Sequence, residues 1–229
     1  MFKKVYFDYG DREVAHLKAR DSRLGAAIDE IGHIRREIIP DLFTALVHAI
    51  IGQQISSKAL ATIWARIQER FSPITAKNIG EATEEQLQCC GMSFRKASCI
   101  KQIANSVLDG SLDLEHLQTL SNDEVCERLN QLKGIGIWTA EMLMTFSMQR
   151  PNVMSMNDLA ILRGLRMLYH HREITPRLFA KYKRCYSPYA TVASLYLWAI
   201  AGGACPGLVD HTSMTQTQKM VRIAKRKQQ

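Results

Sequence analysis

An all-α fold is predicted by three observations. Apolar residues recur every three or four positions over most of the chain, helix start and stop signals recur with them, and no stretch alternates apolar and polar residues as a half-buried strand does. The 229 residues suffice for one domain or two small interlocked ones, with enough chain to bury a real core.

The elements follow in order. Val14, Leu17, Leu24, Ile28 and Ile31 fall at helical spacing until Gly32 stops the run. Phe43, Leu46, Val47, Ile50 and Ile51 form one stripe after Pro40, ended by Gly52. Leu60, Ile63, Trp64, Ile67 and Phe71 form the next, begun near Ser56. Thr83 with Gln86 makes a capping box, and Gly91 closes that short helix. Ala97, Ile100, Ala104, Val107 and Leu108 follow, ended by Gly110. Ser121 with Glu124 opens another helix carrying Val125 and Leu129. A helix from Ile137 to about Met148 stops near Pro151, and Leu159, Leu162, Leu165 and Tyr169 stripe the next. Thr175-Pro176 and Ser187-Pro188 both read as a cap followed by proline. The last long helix carries Val192, Leu195, Tyr196, Ala199 and Ile200 and ends at Gly202-Gly203. This makes about ten helices and no strand, without a low-complexity segment or a fixed-period repeat.

Composition narrows the class. Apolar residues make up 46% and charged residues 23%, as in a soluble globular protein. No apolar run is long enough to span a bilayer, and the N-terminus lacks a signal peptide's apolar core, so the expected location is the cytoplasm. The formal net charge of +8 favours polyanions. Arg163, Arg166, Arg172, Arg177, Lys181, Lys183 and Arg184 face a single acid in that stretch, Glu173, and Arg222, Lys225, Arg226 and Lys227 form a second basic cluster. Such runs also serve as ordinary solvated faces. The six cysteines show no C-x-x-C and no zinc spacing, and read as reduced core residues. His170-His171, being adjacent, point to different helix faces and are read as non-metal. No cofactor and no metal are expected.

Leu132-Lys133-Gly134-Ile135-Gly136 links two of these helices. Glycine takes positive φ without strain and leaves no side chain in the way. Backbone N–H groups at such a link, opening a helix N-terminus, form an anion cradle that suits a DNA phosphate, with Lys133 adding a charge beside it. The same glycines would also serve a plain tight αα-hairpin. Asp158, in Met156-Asn157-Asp158-Leu159, stands where a helix begins. A carboxylate there gains from the helix dipole and from unpaired N–H groups, and a simple N-cap would look the same.

Together, the capped helix, Leu-x-Gly-Ile-Gly and Trp138-Thr139-Ala140 resemble the helix-hairpin-helix DNA glycosylases, the HhH-GPD superfamily. The resemblance extends over most of the chain. Leu46 through Ser56 is similar to that family's first core helix and its following loop, and Tyr189 through Trp198 to its closing helix. The nearest branch is the 3-methyladenine DNA glycosylase II group. The resemblance implies two interlocked helical subdomains, a central one over 37–150 and a second from 1–36 plus 151–229, with the active-site cleft between them. It places the catalytic aspartate on Asp158. DNA contacts are implied at Gln53, Gln54, Lys133, Gly134, Ile135, Gly136 and Thr139, with Gln54 matching the residue that wedges into the duplex. Trp198 matches a base-pocket tryptophan, with Trp138, Tyr189 and Tyr196 as further pocket members.

The implied activity is excision of alkylated purines from double-stranded DNA, by a monomer that needs no protein partner and no membrane. Strand-cutting relatives carry a lysine nucleophile at position 138. Trp138 there implies a monofunctional enzyme. Only Cys185 and Cys205 lie beyond Asp158, so the iron–sulfur cluster of another branch is not expected. Two alternatives stay open: the same fold excising a deaminated or oxidised base, and a non-catalytic DNA-binding protein using the hairpin alone.

Overall fold

The computed structural model describes residues 4–210. The basic cluster Arg222, Lys225, Arg226 and Lys227 lies outside them. Among the described residues there are thirteen helices and one short pair of strands, in two compact units. No helix among them is long and apolar enough to cross a membrane.

The first unit comprises residues 4–8 and Arg35–Val153. Its strands β1 (Val5–Tyr6) and β2 (Glu37–Ile38) pair antiparallel, Val5 opposite Ile38 and Tyr6 opposite Glu37. Two residues each are too short for an alternating pattern to register, which is why the sequence predicts no strand. The guanidinium of Arg35 lies 4.3 Å from the Tyr6 ring centre and pins this pairing.

At the centre stands α3 (Leu42–Gly52), capped by Asp41, whose side chain accepts the Thr44 N–H. Seven of its eleven residues are buried, including Leu46, Val47, Ile50 and Ile51, so its neighbours must cover several of its faces. They include α4 (Ser57–Phe71), α7 (Phe94–Leu108) and α10 (Ile137–Phe146). Ser56 and Ser93 cap α4 and α7. The short α5 (Ala76–Glu81) and α6 (Glu84–Gln88) pack on α7, and α8 (Leu114–Thr119) and α9 (Asn122–Asn130) lead into the hairpin. Both expected capping boxes form, at Thr83/Gln86 and Ser121/Glu124. Helices α5 and α8, of six residues each, escape a periodicity search because they present only one or two apolar positions.

The second unit comprises Tyr9–Ile34 and residues 154–210. The run expected as a single helix up to Gly32 is two, α1 (Asp11–Arg20) and α2 (Ser22–Ile31). Asp21 divides them: it ends α1 in an extended conformation and its side chain accepts the N–H groups of Arg23 and Leu24. Next come α11 (Leu159–Tyr169), α12 (Pro176–Tyr186) and α13 (Ala190–Ala201). Thr175 caps α12 as expected. Ser187 does not cap α13. It ends α12, its N–H bonded to Lys183 O, and Tyr189 holds the capping position of α13.

Helices α11 and α13 pack very closely. A Cβ on Gly164 would lie 2.3 Å from Leu197 O. Part of the basic run is neutralised here: Arg166 donates from Nε and a terminal nitrogen to the Asp210 carboxylate at 2.9 and 2.8 Å, and Arg163 lies 3.6 Å from the same group. Of the six cysteines, all free, Cys90, Cys99 and Cys205 are buried, whereas Cys89 is exposed.

Candidate active site

The hairpin joins α9 to α10, and its two glycines do different work. Gly134 has φ +89, a left-handed conformation that favours glycine, and a Cβ there would meet Cys99 Sγ at 3.2 Å. The fold itself therefore requires this glycine. Gly136 has φ −94, open to any residue, and a Cβ would meet nothing within 4 Å. Nothing inside the unit demands glycine at position 136, and the space beside it is open. Between them Ile135, 3% exposed, anchors the loop in the core. Lys133 is exposed.

Gly136 is the N-cap of α10 and has no side-chain cap bond. Gly136 offers no side-chain oxygen to the first turn of α10, and a helix N-terminus is the kind of place that draws an anion. Thr139, in the same turn, is only 6% exposed. Trp138, 45% exposed, stands on the open side of the same turn.

The loop after α3 is tied to this hairpin. Gln53 Nε2 donates to Gly134 O at 2.7 Å. Gln54 is exposed and has φ +56, unusual for a residue with a side chain. Lys96, on α7, donates from Nζ to Ile51 O at 2.8 Å and to Gln53 O at 2.6 Å. Sequence reasoning missed Lys96, because a lysine serving distant carbonyls leaves no local pattern.

In the second unit Asp158 is the N-cap of α11 and 6% exposed. Its Oδ1 accepts the N–H groups of Ala160 at 2.9 Å and Ile161 at 3.0 Å. Two bonds on one oxygen fix the carboxylate plane against the helix. The following residue, Leu159, is 81% exposed, although helical spacing counted it among the apolar stripe. It occupies the first turn, where the stripe has not yet met a neighbour.

Residues 47–188 match the family model described as HhH-GPD superfamily base excision DNA repair protein. The chain belongs to this superfamily. Among its relatives, the DNA-3-methyladenine glycosylase 1 of Schizosaccharomyces pombe is 35% identical over 212 residues, covering 89% of this chain and 91% of that protein. A crystal structure of a Bacillus halodurans DNA-3-methyladenine glycosidase superposes with a TM-score of 0.77 at 33% identity, over 90% of this chain and 95% of that one. The 3-methyladenine DNA glycosylase of Schizosaccharomyces pombe, solved with abasic DNA, gives 0.69 at 31% identity, over 88% and 100%. This HhH-GPD protein thus groups with the 3-methyladenine glycosylases, as the motifs imply.

The aromatic residues of this HhH-GPD chain divide. Trp198, on α13 one residue after the Leu197 carbonyl that abuts Gly164, is half-buried. Tyr189 is half-buried and edge-on to His16, ring centres 5.2 Å apart. Tyr196 is not a pocket residue. It is 1% exposed, and its hydroxyl lies 3.3 Å from that of Tyr9, which accepts the Ile34 N–H at 2.7 Å. Burial also pushes the Tyr196 phenol pKa upward. A ring with no open face cannot stack on a ligand. Trp64 packs on the core, as expected, with His48 edge-on at 4.8 Å. His171 Nε2 lies 2.6 Å from Tyr182 OH, and no metal-binding group of His, Cys, Asp and Glu occurs among the described residues.

Proposed function

We propose that this protein is a monofunctional DNA glycosylase that hydrolyses the N-glycosidic bond of alkylated purines flipped out of duplex DNA. The observation that carries the reading is Asp158: an almost fully buried carboxylate, clamped by two backbone N–H groups at the head of a helix, in a chain of a base-excision family.

One fixed carboxylate suits this chemistry. Cleavage passes through an oxocarbenium-like sugar, and a preorganised anion stabilises the positive charge as it develops. The same group orients or deprotonates the attacking water. An N-alkylated purine already carries positive charge and leaves neutral, so no general acid is needed. The flanking phosphate binds the α10 N-terminus over Gly136, where the space beyond the glycine is open. Flipping the nucleotide costs roughly a few kcal/mol. Gln54 fills the vacated position and can hydrogen-bond the orphaned base. Trp198 forms the wall on which the cationic base stacks, with a contribution from cation–π attraction. Trp138, in place of a nucleophilic lysine, leaves no amine to attack the sugar, so the product is an intact abasic strand. The protein acts as a monomer on double-stranded DNA without a cofactor.

The test is incubation with duplexes carrying methylated, deaminated and oxidised bases. Alkylated purines should be released, leaving sites cleaved only by later alkali treatment, and borohydride should trap no covalent complex. Release of none of the alkylated bases would refute the reading. A trapped complex would refute its monofunctional part.

A further inference from the structure

Lys96 lies in the first turn of α7, yet its ammonium reaches across to the end of α3. There it donates to Ile51 O and Gln53 O. Carbonyls at a helix C-terminus lack intrahelical partners and carry the negative end of the dipole, so a cation fits there. The ammonium is partly desolvated, and burial holds its pKa below the ordinary lysine value. No carboxylate pairs with it among the described residues. A charge kept under these conditions is held for geometry.

The second carbonyl matters most. Gln53 O belongs to the peptide plane that joins Gln53 to Gln54. Holding that oxygen orients the plane from which the N–Cα bond of Gln54 departs, and Gln54 leaves it at φ +56. Across the loop, Gln53 Nε2 is held by Gly134 O at 2.7 Å. The residue before Gln54 is therefore anchored twice, through its carbonyl to α7 and through its amide to the hairpin.

From this geometry we infer that Lys96 is a positioning residue for base flipping: it holds the Gln53–Gln54 peptide so that Gln54 projects as the duplex plug, in fixed register with the hairpin. The inference rests on the glycosylase reading and on Gln54 as the plug. Its consequence is selective. Losing Lys96 should impair the step in which a paired base leaves the stack, and leave a base that is already unpaired almost unaffected.

The experiment compares single-turnover release of a methylated purine from two duplexes, one with the normal partner base and one with an abasic site opposite. For Lys96→Met, release from the paired duplex should fall about 10- to 100-fold, and from the unpaired duplex less than about threefold. Lys96→Arg, which still reaches two carbonyls, should recover most of the loss. In a Gln54→Ala background Lys96→Met should add little further, because both act on one step. Equal losses on both duplexes, or no loss on the paired one, would overturn the assignment. If Lys96→Met does not fold, Lys96→Gln retains donors and is judged by the same ratio. A wild-type protein inactive on both duplexes would instead sink the glycosylase reading itself, and the plug role with it.

Discussion

Replacing Gly164 with alanine tests the packing that sets Asp158 and Trp198 on their helices. The added Cβ would stand 2.3 Å from Leu197 O, 2.9 Å from its carbonyl carbon and 3.0 Å from its Cα. Real Cβ contacts essentially never fall below 3.0 Å, so α11 and α13 must part by about 0.7 Å at this point. The obstacle is backbone, which cannot swing aside. Overpacking of this kind costs about 3 kcal/mol, the upper end of the usual range. Alanine returns about 1 kcal/mol of helix propensity. The net loss is about 2 kcal/mol, which lowers the melting temperature by about 4–8 °C for a chain of this size. Excision should fall at least about tenfold, because α11 opens directly after Asp158 and α13 carries Trp198. Affinity for undamaged duplex, which the proposed function assigns to the hairpin in the other unit, should hardly change. Thermal melts, single-turnover excision and duplex binding read the three effects. An unchanged or raised melting temperature would show that the helices do not meet as closely as described and would refute the reasoning.

Further outcomes follow from individual residues. Gly136→Asp should leave stability within about 0.5 kcal/mol, since an added Cβ meets nothing within 4 Å, yet weaken binding to all duplex sequences about tenfold by facing a phosphate with a carboxylate. Filter binding and melts separate the two. Gly134→Ala should show the reverse emphasis, losing about 1–2 kcal/mol of stability through its left-handed backbone and its Cys99 contact. His48 is half-buried, edge-on to Trp64, and desolvation lowers its pKa below the ordinary 6.5. The unfolded chain then takes up the proton first, so this stabilising contribution is complete above about pH 6.5 and is lost as pH falls below it. Urea melts across that range should show the decline, and His48→Phe should flatten it.

Much of this was legible in the sequence where a signal is local. Ser56, Thr83, Ser121, Thr175 and Asp158 cap their helices as their residue types and neighbours imply. The hairpin and the helix opening at Asp158 are local too. What failed to show depends on residues far apart. Asp21 breaks a run whose apolar spacing continues through it, since a cap acts through one side chain and not through periodicity. Tyr196 and Trp198 sit two apart on one helix, and only tertiary packing makes the first core and the second half-open. The division of labour between Gly134 and Gly136 needs a backbone angle and a view of what surrounds each. Lys96 and Gly164 carry no motif; one is revealed by the carbonyls it reaches and the other by a helix it touches.

The central claim is that Asp158 supplies the negative charge for glycosidic bond cleavage, and Asp158→Asn tests it most directly. Asparagine keeps Oδ1 as an acceptor for Ala160 and Ile161 and is as good an N-cap, so the fold should stand while the charge is gone. Single-turnover release of a methylated purine should drop by about two orders of magnitude or more, with affinity for a duplex holding an abasic-site analogue retained. A variant that releases the base at nearly the wild-type rate would contradict the account.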